Sequence, residues 1–310
     1  MKRKLCIVCL IFMIGIPILL TRVSKYDRIP HSRPIKIVLK KGISEQIKRK
    51  NRLRQIRAEK IYLYNTLPEI RRAKVIAHRG QGFGGQENSL GALEDSMKAK
   101  VDYAEIDVQE TRDGKVVLMH DENLKRLTGL SADVNHLTYK QIERLNIAPP
   151  LHRNDVVRIP TLDRVIKKCN NRLNLIIEIK PYGNTEDLTN KVVKIIEDNN
   201  YVNQCKIHSV SYGILLQVKR LNPNIQTGII VCGRTSGLCS MNVDFYSIED
   251  DVLNKNLVND IHAVNRKVYA WTVDGKAGVN NMLGLDVDGI ISNKPRLLMN
   301  IKKKKVIHKI

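Results

Sequence analysis

Aromatic residues are scarce in this chain of 310 residues: 5% of positions, with three Phe and one Trp. Binding of single-stranded nucleic acid by base stacking needs aromatic platforms, so that class is disfavoured. Acidic residues are in deficit too, with 31 Asp and Glu against 53 Lys and Arg and a formal net charge of +22. Such an excess attracts anionic partners: phosphate esters, nucleic acid or a membrane face. No nucleic-acid recognition motif accompanies the charge, so no specific nucleic acid is expected as a partner. The cysteines have no zinc spacing; Cys6 and Cys9 sit in an N-terminal apolar run, and Cys169, Cys205, Cys232 and Cys239 read as core or loop residues. The glycine-rich loop at 81–85 fits neither the G-x-G-x-x-G nor the GK[ST] pattern, so it does not mark a nucleotide site. Apolar residues at 43% and charged residues at 27% exclude wholesale disorder and fibrous structure.

What is present is unevenly placed. After Lys2, Arg3 and Lys4, residues 5–20 are apolar and uncharged, and no small-x-small cleavage site follows. Residues 1–20 are therefore expected to form an uncleaved membrane anchor helix, with a cleaved signal segment as the alternative. More basic residues follow the run than precede it, which by the positive-inside rule would put the C-terminal part in the cytoplasm; large domains translocate regardless of charge, and the expectation is an extracytoplasmic catalytic domain. Residues 21–73 form a basic connector with sixteen Lys and Arg against Asp27, Glu45, Glu59 and Glu69. Its stretch KRKNRLRQIRAEKIYLY can form a basic helix with Leu53, Ile56 and Leu63 on one side, suited to an anionic membrane surface. Residues 301–310 are a second basic segment, a tail.

From Lys74 the texture changes. Short apolar runs recur: KVIAH, YAEIDV, KVVLMH, LNLIIEI, CKIHSV, QTGIIV, DFYSI, VYAWTV and VDGIIS. Amphipathic stretches lie between them, with Ser89, Thr161 and Thr185 as expected N-caps. This alternation predicts a parallel sheet covered by helices. The four-residue turn Thr111-Arg112-Asp113-Gly114 is too short for a parallel crossover, so KVVLMH reads as a hairpin extension. Eight core strands remain, which predicts a (β/α)8 barrel over residues 74–300.

In such a barrel the chemistry collects at the C-terminal ends of the strands. Those ends carry His78 and Arg79, Glu105 and Asp107, His120, Glu178 and Lys180, and Trp271. Glu105 and Asp107 are two apart and share one face of their strand; Glu178 and Lys180 repeat the pattern. Three converging carboxylates repel unless a cation lies between them, and oxygen ligation favours one divalent ion, Mg²⁺, Ca²⁺ or Mn²⁺. His78 and His120 are the natural acid and base. Arg79 and Lys180 supply fixed positive charge for phosphate oxygens. Together these groups describe a site for a phosphodiester undergoing acid–base displacement.

The segments VIAHRG, QENSLGALEDSMKAKVDYAEIDVQETRDGKVVLMHDENLKRLTG, IPTLDRVI, LIIEIK, VYAWTVD and DGIISNKP appear in this order. Residues 74–297 thereby resemble the glycerophosphodiester phosphodiesterase family. The resemblance implies a TIM barrel of the phospholipase-C-like type with a bound divalent metal. It implies Glu105, Asp107 and Glu178 as metal ligands, His78 and His120 as the acid–base pair, and Arg79 and Lys180 as phosphate contacts. Glu87 resembles a further site residue, as ligand or as its support, and Trp271 resembles an aromatic that lines the substrate. The implied substrates are glycerophosphodiesters, with lysophospholipids on a phospholipase D-like branch as the alternative. A non-catalytic membrane-tethered barrel is a further alternative, disfavoured by the intact site. The family's Pro before the Glu is Gln86 here and its Thr after the Asn is Ser89, both mild departures.

Overall fold

The structure, a computed structural model, describes residues 47–52, 54–55, 73–81, 86–148, 155–233 and 237–304. The chain divides into two units, Met1–Glu59 and Lys60–Ile310. In the first, residues 47–52, 54 and 55 are helical and exposed, carrying Lys48, Arg49, Lys50, Arg52 and Arg54. The expected anchor at 1–20 and most of the connector lie outside the described residues. Among the described residues no helix is long and apolar enough to cross a membrane.

Among its described residues the second unit holds nine strands: β1 (Lys74–Ala77), β2 (Tyr103–Glu110), β3 (Val116–Leu118), β4 (Asn174–Ile179), β5 (Cys205–Ser209), β6 (Gln226–Val231), β7 (Phe245–Glu249), β8 (Lys267–Trp271) and β9 (Gly289–Ser292). The order β1-β9-β8-β7-β6-β5-β4-β2, with β1 also paired to β2, closes an eight-stranded parallel barrel. β3 pairs antiparallel with β2, as the short Thr111–Gly114 turn requires. Helices follow most strands: α1 (Leu90–Ala99), α2 (Leu162–Cys169), α3 (Thr185–Asp198), α4 (Tyr212–Leu221), α5 (Lys255–Ala263), α6 (Lys276–Leu285) and α7 (Pro295–Lys304). Ser89 and Thr161 cap α1 and α2 by accepting from Ala92 N and Arg164 N. The cap of α3 is Asn184 rather than Thr185: its Oδ1 accepts from Asp187 N, while the Thr185 carbonyl is engaged by Thr189. The last helix runs across residue 300 into the basic tail.

Strand side chains alternate between two apolar layers. Ile76, Ile176, Phe245, Tyr269 and Ile291 form one buried cluster inside the barrel. The intervening residues, such as Val75, Ala77, Ile177, Tyr246 and Ala270, join a larger cluster with the helices. Phe245 fits inside only because its neighbour in β6 is Gly228, where a Cβ would lie 2.1 Å from the ring. Cys169 and Cys205 are buried in the larger cluster, whereas Cys232 and Cys239 are exposed; all four are free.

A separate, smaller core stands beside the barrel. Val117, Met119, Leu124, Val134, Ile142, Ile147 and Ile159 are buried together between β3 and α2. It is built from the long β3–α2 connection and supports the residues that follow His120.

Candidate active site

The site lies where β1, β2, β4, β5 and the β3 extension end. β1 stops at Ala77 because His78–Gly80 turns into a single 3-10 turn with Arg79 left-handed at φ 51°. That conformation costs a non-glycine residue about 1–2 kcal/mol. The freed Arg79 amide donates to Glu105 Oε2 at 2.8 Å, which offsets part of the cost. Gly80 follows at φ 67°, and a Cβ there would meet Leu93 Cδ2 at 2.9 Å, so the turn can seat on α1 only with glycine.

Each proposed acid–base histidine is oriented through its Nδ1. His78 Nδ1 lies 2.7 Å from Asn293 Oδ1. Asn293 is itself fixed: its Nδ2 and its backbone N both donate to Asp274, and Gln81 Nε2 donates to its Oδ1. The Asn293 oxygen is thus an acceptor, so His78 Nδ1 carries the proton and Nε2 is left for chemistry. His120 Nδ1 pairs with Asp121 Oδ1 at 2.8 Å. Burial raises the Asp121 carboxyl, but Arg126 and His120 outweigh it and hold the group below its ordinary range.

The carboxylates are not equivalent. Glu105, Glu178 and His208 each bring one ligand atom within 4.8 Å of the others. His208 was not among the residues picked out by sequence. Its ring stands on β5 with Nδ1 3.1 Å from Ser247 Oγ and Nε2 3.6 Å from Glu105 Oε1. That Nε2 is buried without a hydrogen-bond partner. Asp107, expected as the third ligand, is placed differently. Its Oδ2 accepts from Asn88 Nδ2 and its amide donates to Asn88 Oδ1, a reciprocal pair that holds the strand end. Its Oδ1 is ion-paired with Lys180 Nζ at 2.9 Å, and the same Nζ lies 2.9 Å from Glu178 Oε1.

The charges follow this geometry. Burial, then the neighbouring Asp107 charge, push Glu178 up to about 8, with Lys180 opposing and Glu105 adding to the rise. Asp107 goes the other way: burial would raise it, but the Lys180 ammonium, with His120, Asn88 and Arg79, holds it well below the usual carboxylate range. Burial would lower Lys180, yet Asp107 and Glu178 keep it firmly charged. Two buried carboxylates facing a buried imidazole nitrogen that has no hydrogen-bond partner fit a divalent cation. The imidazole adds nitrogen to a set expected to be all oxygen, so the donor set no longer argues against transition ions as the carboxylates alone do.

Arg79 Nη1 donates to Glu87 Oε1 at 2.9 Å, and its Nε lies 3.9 Å from Asp107 Oδ2. Glu87 therefore serves as a support: both its oxygens are taken by arginines, Arg79 and Arg126. Trp271 donates its ring N–H to Ser247 O at 3.0 Å and turns its body to the cleft. The cleft measures about 310 Å³ and is lined by His78, Arg79, Glu105, His120, Glu178, Lys180 and His208 together with apolar Val210, Ile230, Trp271 and Ile291. A volume of this order admits a small phosphodiester. Thus the fold gathers both histidines, both cations, Glu105, Glu178 and Trp271 in one cleft, keeps Asp107 and Glu87 behind it, and adds His208.

Comparison with known proteins identifies the family and the fold. The profile of the Glycerophosphoryl diester phosphodiesterase family matches residues 78–297. A glycerophosphodiester phosphodiesterase of Caldanaerobacter subterraneus subsp. tengcongensis is 31% identical over 240 residues, covering 74% of this chain and 98% of that protein. A solved Oleispira antarctica phosphodiesterase, in complex with the product sn-glycerol-3-phosphate, superposes with a TM-score of 0.69 at 25% identity, covering 74% of this chain and 96% of that one. A Silicibacter pomeroyi structure, named a putative glycerophosphoryl diester phosphodiesterase, shares the fold with a TM-score of 0.69 at 21% identity, over 75% of this chain and 94% of that one.

Proposed function

The chain belongs to the glycerophosphoryl diester phosphodiesterase family, a family of phosphoric diester hydrolases, and on that premise we propose that it cleaves glycerophosphodiesters to glycerol 3-phosphate and an alcohol. The observation that carries the reading is the pair of histidines, each tethered by Nδ1, facing one cleft that also holds Arg79, Lys180 and the Glu105–Glu178–His208 group. In this reading Arg79 and Lys180 bind the non-bridging phosphate oxygens. His78, backed by a neutral amide, starts as the base and takes the proton of the attacking glycerol hydroxyl at Nε2. His120, backed by the Asp121 carboxylate, starts as the imidazolium and protonates the leaving alcohol. The hydroxyl oxygen bonds to phosphorus as the ester oxygen leaves, giving a cyclic phosphate. Water then opens the ring with the two roles exchanged.

Glu105, Glu178 and His208 would hold a divalent cation, with Asp107, here ion-paired to Lys180, as the further carboxylate that the family resemblance implies. When bound there, such an ion would supply charge neutralisation at the phosphate and help to align the attacking hydroxyl. The exposed basic helix at residues 47–52 and 54–55, which follows the apolar run at 5–20 in sequence, supports a membrane-anchored enzyme whose substrate is held near an anionic surface; the barrel is proposed to be extracytoplasmic, since large domains translocate regardless of flanking charge. Release of glycerol 3-phosphate from glycerophosphocholine and glycerophosphoethanolamine, with Mg²⁺, Ca²⁺ or EDTA, tests the reaction. Absence of turnover by folded protein under every metal condition rejects it. Release of lysophosphatidic acid from a lysolipid, without glycerol phosphate from the diesters, moves the chain to the phospholipase D-like branch. Fractionation of cells expressing the full chain or a chain lacking residues 1–20 tests the anchor, and protease accessibility in intact cells tests the side.

A further inference from the structure

Arg126 touches none of the groups assigned to the chemistry, yet it joins the supports of two of them. It sits on the short helical turn Lys125–Thr128, which follows Leu124 of the smaller core. Its three guanidinium nitrogens are all engaged. Nε donates to Asp121 Oδ2 at 2.5 Å, Nη1 to Glu87 Oε2 at 2.9 Å and Nη2 to Glu87 Oε1 at 2.7 Å. The other oxygen of Asp121 meets His120 Nδ1 at 2.8 Å. Glu87 Oε1 also accepts from Arg79 Nη1 at 2.9 Å. A continuous path therefore runs His120–Asp121–Arg126–Glu87–Arg79.

The geometry points to Arg126 as a positioning residue that sets the acid–base imidazole of His120 and the phosphate-binding guanidinium of Arg79 together. The inference rests on the phosphodiesterase reading. A planar fork can hold a carboxylate with two nitrogens and a second carboxylate with the third; an ammonium cannot keep all three directions. Without Arg126, Asp121 loses the donor that fixes its plane, so the His120 ring is free to turn. Glu87 loses both of its bonds to Arg126 and retains only Arg79, so neither of the two is anchored to the rest of the path. One residue thus acts on both leaving-group protonation and phosphate binding.

The test uses the full chain and its Arg126→Ala, Arg126→Lys, Asp121→Asn and Glu87→Gln variants. Turnover of glycerophosphocholine is measured, and binding of glycerol 3-phosphate is followed by calorimetry as a readout that needs no turnover. Asp121→Asn is expected to lower kcat and leave glycerol 3-phosphate affinity near wild type. Glu87→Gln is expected to raise KM and weaken that affinity. Arg126→Ala does both, each by roughly ten- to hundredfold. Guanidinium ion added at millimolar concentration restores both in Arg126→Ala, because the side chain is exposed at its edge. Arg126→Lys recovers little despite its charge. The inference is overturned if folded Arg126→Ala keeps wild-type kcat and product affinity, if only one of the two moves, or if Lys serves as well as Arg. If Arg126→Ala fails to fold, the lysine variant and the two single carboxylate variants carry the same comparison. A wild-type chain that binds glycerol 3-phosphate but turns over no diester would refute the phosphodiesterase reading, while the affinity comparison would still judge Arg126.

Discussion

Titrating Mg²⁺ into the full chain at stepped pH examines the electrostatics of Glu178. Burial and the Asp107 charge push this carboxyl up to about 8, against the opposing pull of Lys180. At pH 7 only about one molecule in eleven then carries the carboxylate, and at pH 9 about ten in eleven. A cation takes the ionised ligand alone, so binding at pH 7 expels about 0.9 proton. Apparent affinity should climb about tenfold between pH 7 and pH 9, ~1.4 kcal/mol, and level off beyond. The sign is fixed by linkage. The folded value lies above the unfolded one, so without a cation the fold is favoured at low pH and loses stability as pH rises through about 8. A bound cation removes that loss, so its stabilising effect grows with pH. Calorimetry in two buffers of different protonation enthalpy gives affinity and proton release together, and Glu178→Gln should bind weakly with no pH dependence. A flat affinity from pH 7 to pH 9 with no proton released would refute the reasoning; it would mean that Lys180 already keeps Glu178 ionised.

Three further outcomes are expected. His78→Ala and His120→Ala should each lower kcat by roughly 10²–10⁴-fold with an unchanged far-UV spectrum, and turnover assays of purified variants decide it. His208→Ala should weaken divalent-ion binding by roughly tenfold or more, read by calorimetry without substrate. Gly228→Ala forces a Cβ to within 2.1 Å of the Phe245 ring and should cost about 1–3 kcal/mol in urea unfolding, with Phe245→Leu in the same chain recovering most of it.

Much of the barrel was legible because each strand is a short apolar run bounded by turns, and because the Thr111–Gly114 turn could not cross over. The polar ends of β1, β2 and β4 stood out for a physical reason: Glu105-x-Asp107 and Glu178-x-Lys180 put charge on alternate, inward positions of otherwise apolar strands. His208 carried the same signal in weaker form, since Lys206 and His208 are likewise two apart in β5, but a lone histidine inside CKIHSV reads as core. The exchange of partners around Asp107 was not legible, because ligand and support residues share the same chemistry. Only the distances to Asn88 and Lys180 separate them. Asn293 and Asp274 lie in the DGIISNKP and VYAWTVD segments, far from His78 in sequence, and neither type of residue announces that it will orient an imidazole. The α3 cap slipped by one residue because Asn and Thr are both good caps and stand side by side.

The smaller core beside the barrel has a consequence for how the molecule fails under heat. His120 and Arg126 adjoin a core that, among the described residues, has seven buried apolar side chains with five partly buried ones against it, whereas His78, the carboxylates and Lys180 lie on or at the ends of strands of the main barrel. A region with so little buried surface opens at a lower free energy than the closed sheet it leans on. Warming should therefore silence the enzyme in two stages, first by letting half of the proton-transfer pair drift and only later by unravelling the barrel. The first stage would leave the barrel strands paired, so activity would be lost before the bulk of the fold.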